Sequence, residues 1–262
     1  MIEKKTKRLL LRGDKKCPFN CSYCFAELEC FQKSSLISKR TLLNSSVSTD
    51  ILYPSCDTEI DFSDSKIEEI VHLAKATQAI AVSISTKRKM SDLMLSKLFT
   101  LNERLKEIGS MLKFSISIST KNQLNVIEQG TSSYTDRLEL AAKLNAMGLV
   151  TSVNIKPILP FIDTAEYCDI ISDFIGNTPH FMLGGLYIDP NDKFGESIIK
   201  GYPDLISRHV VDWIPDKPTW NICYDSEKMR NLSDFIVMLG GYSYQSDQEF
   251  VTKYIKKHQG TV

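Results

Sequence analysis

The sequence predicts an α/β fold in which a parallel sheet curls into a barrel-like shape, and three observations carry that expectation. Short runs with strand period alternate about six times with stretches of helical period, which implies parallel strands joined by right-handed crossovers. Two of the helical stretches stop at a glycine, Gly109 and Gly148, the residue that most readily takes the left-handed terminating conformation. The strands are asymmetric: Ile80, Val82 and Ile84 alternate with Ala81, Ser83 and Ser85, and Phe114, Ile116 and Ile118 with Ser115, Ser117 and Ser119. Buried parallel strands usually read as continuous apolar runs, so this pattern predicts a concave face that holds a polar ligand instead of its own side-chain core.

In chain order, the first strand is expected at Thr6 to Arg12 ("TKRLLLR") and the second at Thr58 to Ser63 ("TEIDFS"). The helix "SDSKIEEIVHLAKATQ" follows from a cap at Ser63 or Ser65, with Ile67, Ile70, Val71 and Leu73 or Ala74 on one face. Then come a strand at Ala79 to Thr86, the helix "MSDLMLSKLFTLNERLKEIG", a strand at Lys113 to Thr120 and the helix "SSYTDRLELAAKLNAMG". A fifth strand is expected at Val150 to Ile158, a helix after "PFIDTAEY", and a sixth strand at His180 to Ile188. Beyond about residue 190, "KPTWNICYDSEKMRNLSDFIVMLGG" and "SDQEFVTKYIKKHQ" read as two helices behind a loop with Trp213, Pro215, Pro218 and Trp220. The division expected is a barrel over residues 1–190 and a short, mainly helical extension over 191–262 that closes one end.

A chain of 262 residues buries roughly 70 to 75 % of the surface its unfolded form exposes. With 32 basic and 32 acidic side chains, no global field draws it to nucleic acid or an anionic membrane. Local basic clusters at Lys4 to Arg8, continued by Arg12, Lys15 and Lys16, and at Lys253 to His258 read as solvated faces of a first strand and a last helix. No apolar h-region lies near Met1 and no apolar run approaches 18 residues, so a cytoplasmic location without membrane contact is expected. In that reducing setting the 7 cysteines are not a disulfide framework. Four are scattered (Cys30, Cys56, Cys168, Cys223), and three crowd into "CPFNCSYCF", residues 17–25.

Three thiolates on a short loop after the first strand suit a soft, thiophilic centre. A closed zinc site uses four ligands, typically two spaced pairs, and no second pair exists; Cys30 is the nearest fourth candidate. An iron–sulfur cube with three protein ligands needs thiolates on separate corners, which the spacing of Cys17, Cys21 and Cys24 provides from one tight loop.

CxxxCxxC with Tyr23 before the third cysteine, placed after a strand near the start of an α/β chain, resembles the radical S-adenosylmethionine (SAM) superfamily over roughly residues 6–190. The resemblance implies an enzyme with a partial (β/α)6 TIM-like barrel and a [4Fe-4S] cluster whose open iron binds the amino and carboxylate groups of SAM. An electron, from a reductant such as flavodoxin or ferredoxin, then cleaves the carbon–sulfur bond, and a 5′-deoxyadenosyl radical takes a hydrogen atom from the substrate. By position, Cys17, Cys21 and Cys24 would hold the cluster, and the backbone around Tyr23 and Phe25 would meet the SAM adenine. Where many members carry Gly-Gly-Glu this chain has "IDFSDS"; together with "SISTK" after the third strand and "SIST" in the fourth, that departure is most similar to the spore photoproduct lyase branch. The likeness implies that Ser63, Lys87 and Ser117 or Ser119 hold SAM. Asn154 is a candidate for the ribose or amino acid moiety, and Ile155, in "VNIKPILP", for the adenine. A lysine supplies a point charge for a carboxylate and hydroxyls supply adaptable hydrogen bonds, although every one of these residues also reads as ordinary strand-end polarity.

In that branch a cysteine near the second strand donates hydrogen, and Asp61 stands at the matching position. Cys56 lies five residues upstream, and Tyr224 beside Cys223 offers a second candidate pair. The expected function is hydrogen abstraction from an undetermined substrate: a nucleotide, a small metabolite or a peptide. Repair of a DNA lesion is one alternative, disfavoured by the missing donor and by zero net charge; a non-enzymatic zinc-binding module is another. Cys168 and Cys223 cannot supply an auxiliary cluster, so a single-cluster enzyme is expected.

Overall fold

The computed structural model describes residues 4–43, 47–214 and 216–259, and the side chains of 4–6, 43 and 255–259 lie outside that description. Pro215, the side chains of Lys4 and Lys5, and those of Lys256 to His258 therefore lie outside the described residues.

Along the chain run β1 (Lys4–Leu10), β2 (Asn20–Cys21), α1 (Glu29–Gln32), α2 (Lys39–Leu43), β3 (Val47–Tyr53), α3 (Asp64–Ala76), β4 (Ala81–Thr86), α4 (Asp92–Glu107), β5 (Met111–Ser117), α5 (Leu124–Ile127) and β6 (Glu128–Gln129). There follow α6 (Tyr134–Ala146), β7 (Thr151–Ile155), α7 (Thr164–Ile175), β8 (His180–Leu183), β9 (Leu186–Ile188), α8 (Lys193–Gly201), β10 (Ile206–Val210), β11 (Thr219–Cys223), α9 (Ser226–Met238), β12 (Tyr242–Tyr244) and α10 (Asp247–Gln259). Among the described residues, seven strands form one parallel sheet in the order β1-β3-β4-β5-β7-β8-β12, curled into a half-barrel. This is the partial TIM-barrel architecture that the alternating pattern predicts. A small antiparallel sheet, β10-β11-β9, stands beside it.

Local chemistry explains the helix ends. Ser63, Ser91 and Ser133 cap α3, α4 and α6, the last in a capping box with Asp136. Gly109 and Gly148 take φ of 75° and 67°, the left-handed turn expected of them. No helix among the described residues is long and apolar enough to cross a membrane.

The second strand is not where the alternation of Ile60 and Phe62 placed it. Residues 58–63 carry no regular secondary structure and lead into α3, and the strand is β3, paired with both β1 and β4. Ile51 and Leu52 are consecutive and both fully buried, one inside the half-barrel and one toward the helices, so burial on two faces hides the period of two. Ile80, expected on the apolar phase, sits just ahead of β4 and is exposed. In the tail, β11 replaces the start of the expected helix, with Trp220 and Ile222 buried on either side of Asn221, and β12 joins the main sheet.

The convex face carries the main core: Val82, Ile84, Phe114, Ile116 and Val153 pack with Leu73, Leu98, Leu144 and Ile171 of the covering helices. The concave face carries the polar phase, but its lower half is filled by the protein itself. Phe250 and Val251 of α10 pack against Ile51, Ala81 and Met182. Lys113, fully buried, donates to Asp247 (2.5 Å) and Ser115 (2.8 Å), while the Tyr53 hydroxyl donates to Asp247 at 2.7 Å. A buried charge survives only when paired and hydrogen-bonded in this way. The upper half, at the carboxyl ends of the strands, is where a ligand can be received.

Candidate functional site

The loop from Cys17 to Cys24 follows β1 and is pinned to the rim by a strand pair of its own. β2 pairs antiparallel with β6, Cys21 opposite Glu128, and the Ser22 amide donates to the Ile127 carbonyl at 2.9 Å. Tyr23 is buried, and its hydroxyl donates to the Glu128 carboxylate. Glu128, 1 % exposed, also accepts from the Arg137 guanidinium at 2.5 Å and from the Ser119 amide at 3.1 Å. Arg137 in turn donates to the Ser117 carbonyl (2.8 Å), the Thr131 hydroxyl (2.6 Å) and the Ser132 carbonyl (3.2 Å). One buried ion pair thus ties the cysteine loop to the end of β5, and its lone pairs and protons are spent on named partners.

Lys87 enters from the end of β4. Its amide donates to Glu59 at 2.8 Å, beside a bond of 2.6 Å from the Thr86 hydroxyl to the same carboxylate, and its carbonyl accepts both the amide and the hydroxyl of Ser132. This clamp leaves the ammonium 5.2 Å from the centre of the Tyr23 ring. Burial pushes the Cys21 thiol up to about 11 and raises Cys24 as well, while Lys87 pulls both down. A thiophilic centre bound there would take the place of the proton, and Lys87 would favour the thiolate form.

Cys17, Cys21 and Cys24 are free, half-buried thiols. Among the described residues, no three His, Cys, Asp or Glu side chains converge closely enough to share one metal ion. Three thiolates on one loop are the donor set that a cube with one open iron would use. Two polar atoms at the mouth are buried without a hydrogen-bond partner: Ser119 Oγ and Asn154 Oδ1. Each such group costs about 1–3 kcal/mol unless something satisfies it, and a ligand rich in hydroxyl and amino groups would do so. Beside the loop lies a cavity of about 310 Å³, walled by Cys21, Cys24, Phe19, Tyr187, Asp192 and Phe194.

The other expected residues are distributed as follows. Ser117 pairs in register with Asn154, so Ser117, Ser119 and Asn154 share the concave face at the barrel mouth. Ile155 is fully buried in the helix-facing core, so only its backbone borders the lumen. Phe25 stacks edge-on to Phe31 (5.1 Å) and Trp213 (6.1 Å). Ser63 is exposed; it caps α3 through the Lys66 amide (3.4 Å) and donates to Asp61 at 2.8 Å. Cys56 packs against the aromatic cluster of Phe31 and Trp220 that Cys24 also borders, and burial, with Asp57 adding to it, pushes its thiol up to about 12. Tyr224 packs on the main core with its ring at Gly185.

Sequence reasoning missed Glu59, Glu128 and Arg137. Arg137 left a signal: with Leu140, Ala141 and Leu144 it occupies the buried face of α6, and a charge on an apolar helical stripe marks a buried partner.

No protein-family model matches the chain, and no curated protein matches it in sequence. Solved structures do match in fold. A spore photoproduct lyase complexed with dinucleoside spore photoproduct aligns over 88 % of this chain and 75 % of its own, with a TM-score of 0.60 and 16 % identity. A mutant spore photoproduct lyase with bound AdoMet and the same dinucleoside aligns over 91 % and 82 %, with a TM-score of 0.60 and 14 % identity. SuiB of Streptococcus suis bound to precursor peptide SuiA covers 95 % of this chain and 51 % of its own, with a TM-score of 0.53 and 14 % identity. Both neighbours are radical SAM enzymes, and identities this low establish a shared fold.

Proposed function

We propose that this chain is a single-cluster radical SAM enzyme that uses a 5′-deoxyadenosyl radical to abstract a hydrogen atom from its substrate. The observation that carries the reading is the placement of the thiol loop: it is clamped through Tyr23, Glu128 and Arg137 to the mouth of a parallel half-barrel, beside two buried polar atoms that want partners. Cys17, Cys21 and Cys24 would hold the cluster. Lys87 would meet the SAM carboxylate as a point charge, with Ser117, Ser119 and Asn154 around the remaining polar groups and the backbone of Tyr23, Phe25 and Ile155 beside the adenine. Ser63 would join them by trading its bond to Asp61. When bound, the cluster and SAM together supply a reducing electron and the radical that follows from it, with a flavodoxin or ferredoxin as the source of that electron. The protein's own work is to orient the sulfonium, exclude water and hold the thiolates. Cys56 and Tyr224 are the candidate hydrogen donors; the high pKa of Cys56 keeps the S–H bond that such a role requires.

The test is anaerobic reconstitution with iron and sulfide, reduction by dithionite with SAM, and chromatographic assay of 5′-deoxyadenosine in the wild type and Cys21→Ala. A brown protein whose product vanishes in the variant is expected. A colourless protein that holds one zinc ion, with no product from either form, would overturn the reading and favour a structural metal clip.

A further inference from the structure

We infer that Lys156, lying across Gly184 at the mouth of the half-barrel, recognises an anionic group, a carboxylate or a phosphate, on the substrate. This deepens the proposed function by naming a chemical class for what enters the site. Ser117 pairs with Asn154, and Asn154 with Met182. Just beyond the ends of β7 and β8 lie Lys156 and Gly184, where the Ile158 amide donates to the Gly184 carbonyl at 2.8 Å.

The missing side chain at Gly184 is what lets the lysine lie flat. A Cβ there would come within 2.8 to 3.0 Å of Lys156 Cγ, Cδ and Cε, so the stem is packed on the glycine backbone and its direction is set. The ammonium donates to the Gln245 carbonyl at 2.8 Å, and no carboxylate lies within ion-pair distance of it among the described residues. The charged groups around it are Asp247, Lys113, Arg8 and Glu249. Asp247 is already held by Lys113 and Tyr53, and Glu249 by Lys253 and the Gln245 amide; Arg8 bonds Asp212 at 2.8 Å. Lys156 thus makes no direct ion pair with a carboxylate among the described residues, while Asp247 and Glu249 lie near enough to favour its charge. Burial, with Lys113 and Arg8 adding to it and Asp247 and Glu249 opposing, pulls it down to about 8, the state of a lysine that gains from an arriving anion. Lys87, on the other flank of the mouth, is taken by the cofactor's carboxylate in the reading above, so this second cation is left for a second ligand.

The test is differential labelling of the full chain at pH 7 with an amine-reactive ester, read at Lys156 by peptide mass spectrometry, with inorganic phosphate, acetate or SAM present and chloride as the ionic-strength control. Binding that raises the lysine by one pKa unit cuts its free-amine fraction about tenfold, so labelling slowed by up to that factor is expected from phosphate or acetate, and the stronger of the two names the group. Gly184→Ala, which displaces the lysine, is expected to abolish the protection while Lys87 labels as before. Equal labelling with and without either anion overturns the inference, as does protection by SAM alone, which reassigns Lys156 to the cofactor. None of these readouts needs the cluster, so the inference can fail while 5′-deoxyadenosine is still made, and the reverse.

Discussion

Replacing Arg137 by methionine removes the cation from a pair in which both side chains are fully buried and 2.5 Å apart. Glu128 would keep the Tyr23 hydroxyl and the Ser119 amide, and the Ser117 and Ser132 carbonyls would each lose a donor. Breaking one side of a buried pair costs about 3–5 kcal/mol, because the surviving charge is stranded. For a chain of this size each kcal/mol lowers the melting temperature by about 2–4 °C, so a drop of about 6–20 °C is expected. Arg137→Met should therefore unfold at much lower temperature and, once reconstituted, retain less iron per chain after desalting, since the strand pair β2–β6 hangs on the same carboxylate. The decisive comparison is the double variant Glu128→Met with Arg137→Met. With both charges gone it should cost less than the two singles summed, leaving about 1–3 kcal/mol for each buried donor it orphans, the Tyr23 hydroxyl and the Ser119 amide. Differential scanning calorimetry on the wild type, the two single variants and the double variant decides the matter. A single variant that costs less than about 1 kcal/mol, or a double variant as damaged as the sum of the two singles, would refute the claim that the pair acts as one buried unit.

Two further outcomes follow from the same electrostatics. Burial would raise the Asp247 carboxyl, but Lys113 and Lys156 override it and hold it far below the ordinary carboxylate range. Its contribution to stability is therefore present above an unperturbed carboxylate pKa near 4 and is lost as pH falls below it. Asp247→Asn should lose about 3–5 kcal/mol at pH 7 by stranding Lys113 and should show a shallower acid slope in urea unfolding; a slope equal to the wild type's would sink the assignment. Cys56, with its thiol at about 12 against an ordinary 9.0, holds about a thousandfold less thiolate than an ordinary cysteine at neutral pH. Alkylation mapped by mass spectrometry should find it far slower than a solvent thiol in the native protein and normal in denaturant; native labelling at the solvent rate would contradict its burial.

The sheet was legible where one face met helices and the other was polar, because Ser115, Ser117 and Ser119 alternate cleanly with Phe114, Ile116 and Ile118. It was illegible at β3, where Ile51 and Leu52 are buried on opposite faces and the period of two disappears. The alternation of Ile60 and Phe62, taken for a strand, comes from a segment without regular secondary structure packing beside α3. The thiol loop stood out in the sequence because three cysteines crowd into residues 17–25, while the cluster proposed for them came from a resemblance to a known family. Its anchor did not, because Glu128 lies 105 residues from Tyr23 in a stretch with no motif of its own. Lys156 was hidden for a similar reason: its importance comes from the bare backbone of Gly184, a neighbour only in the folded sheet.

The clasp between the thiol loop and β6 also sets an order of events. The cysteine loop is synthesised well ahead of the partners that shape it, since Glu128 lies 105 residues after Tyr23 and Arg137 further on. Closing a loop of that length costs on the order of 4 kcal/mol in chain entropy, which a nascent segment cannot recover before β5 and α6 are in place. The three thiols therefore wait on a loose tether until that stretch is made, and on the proposed reading delivery of iron and sulfide belongs after folding of the half-barrel, with oxidation of the waiting loop as the hazard that an early oxidant would exploit.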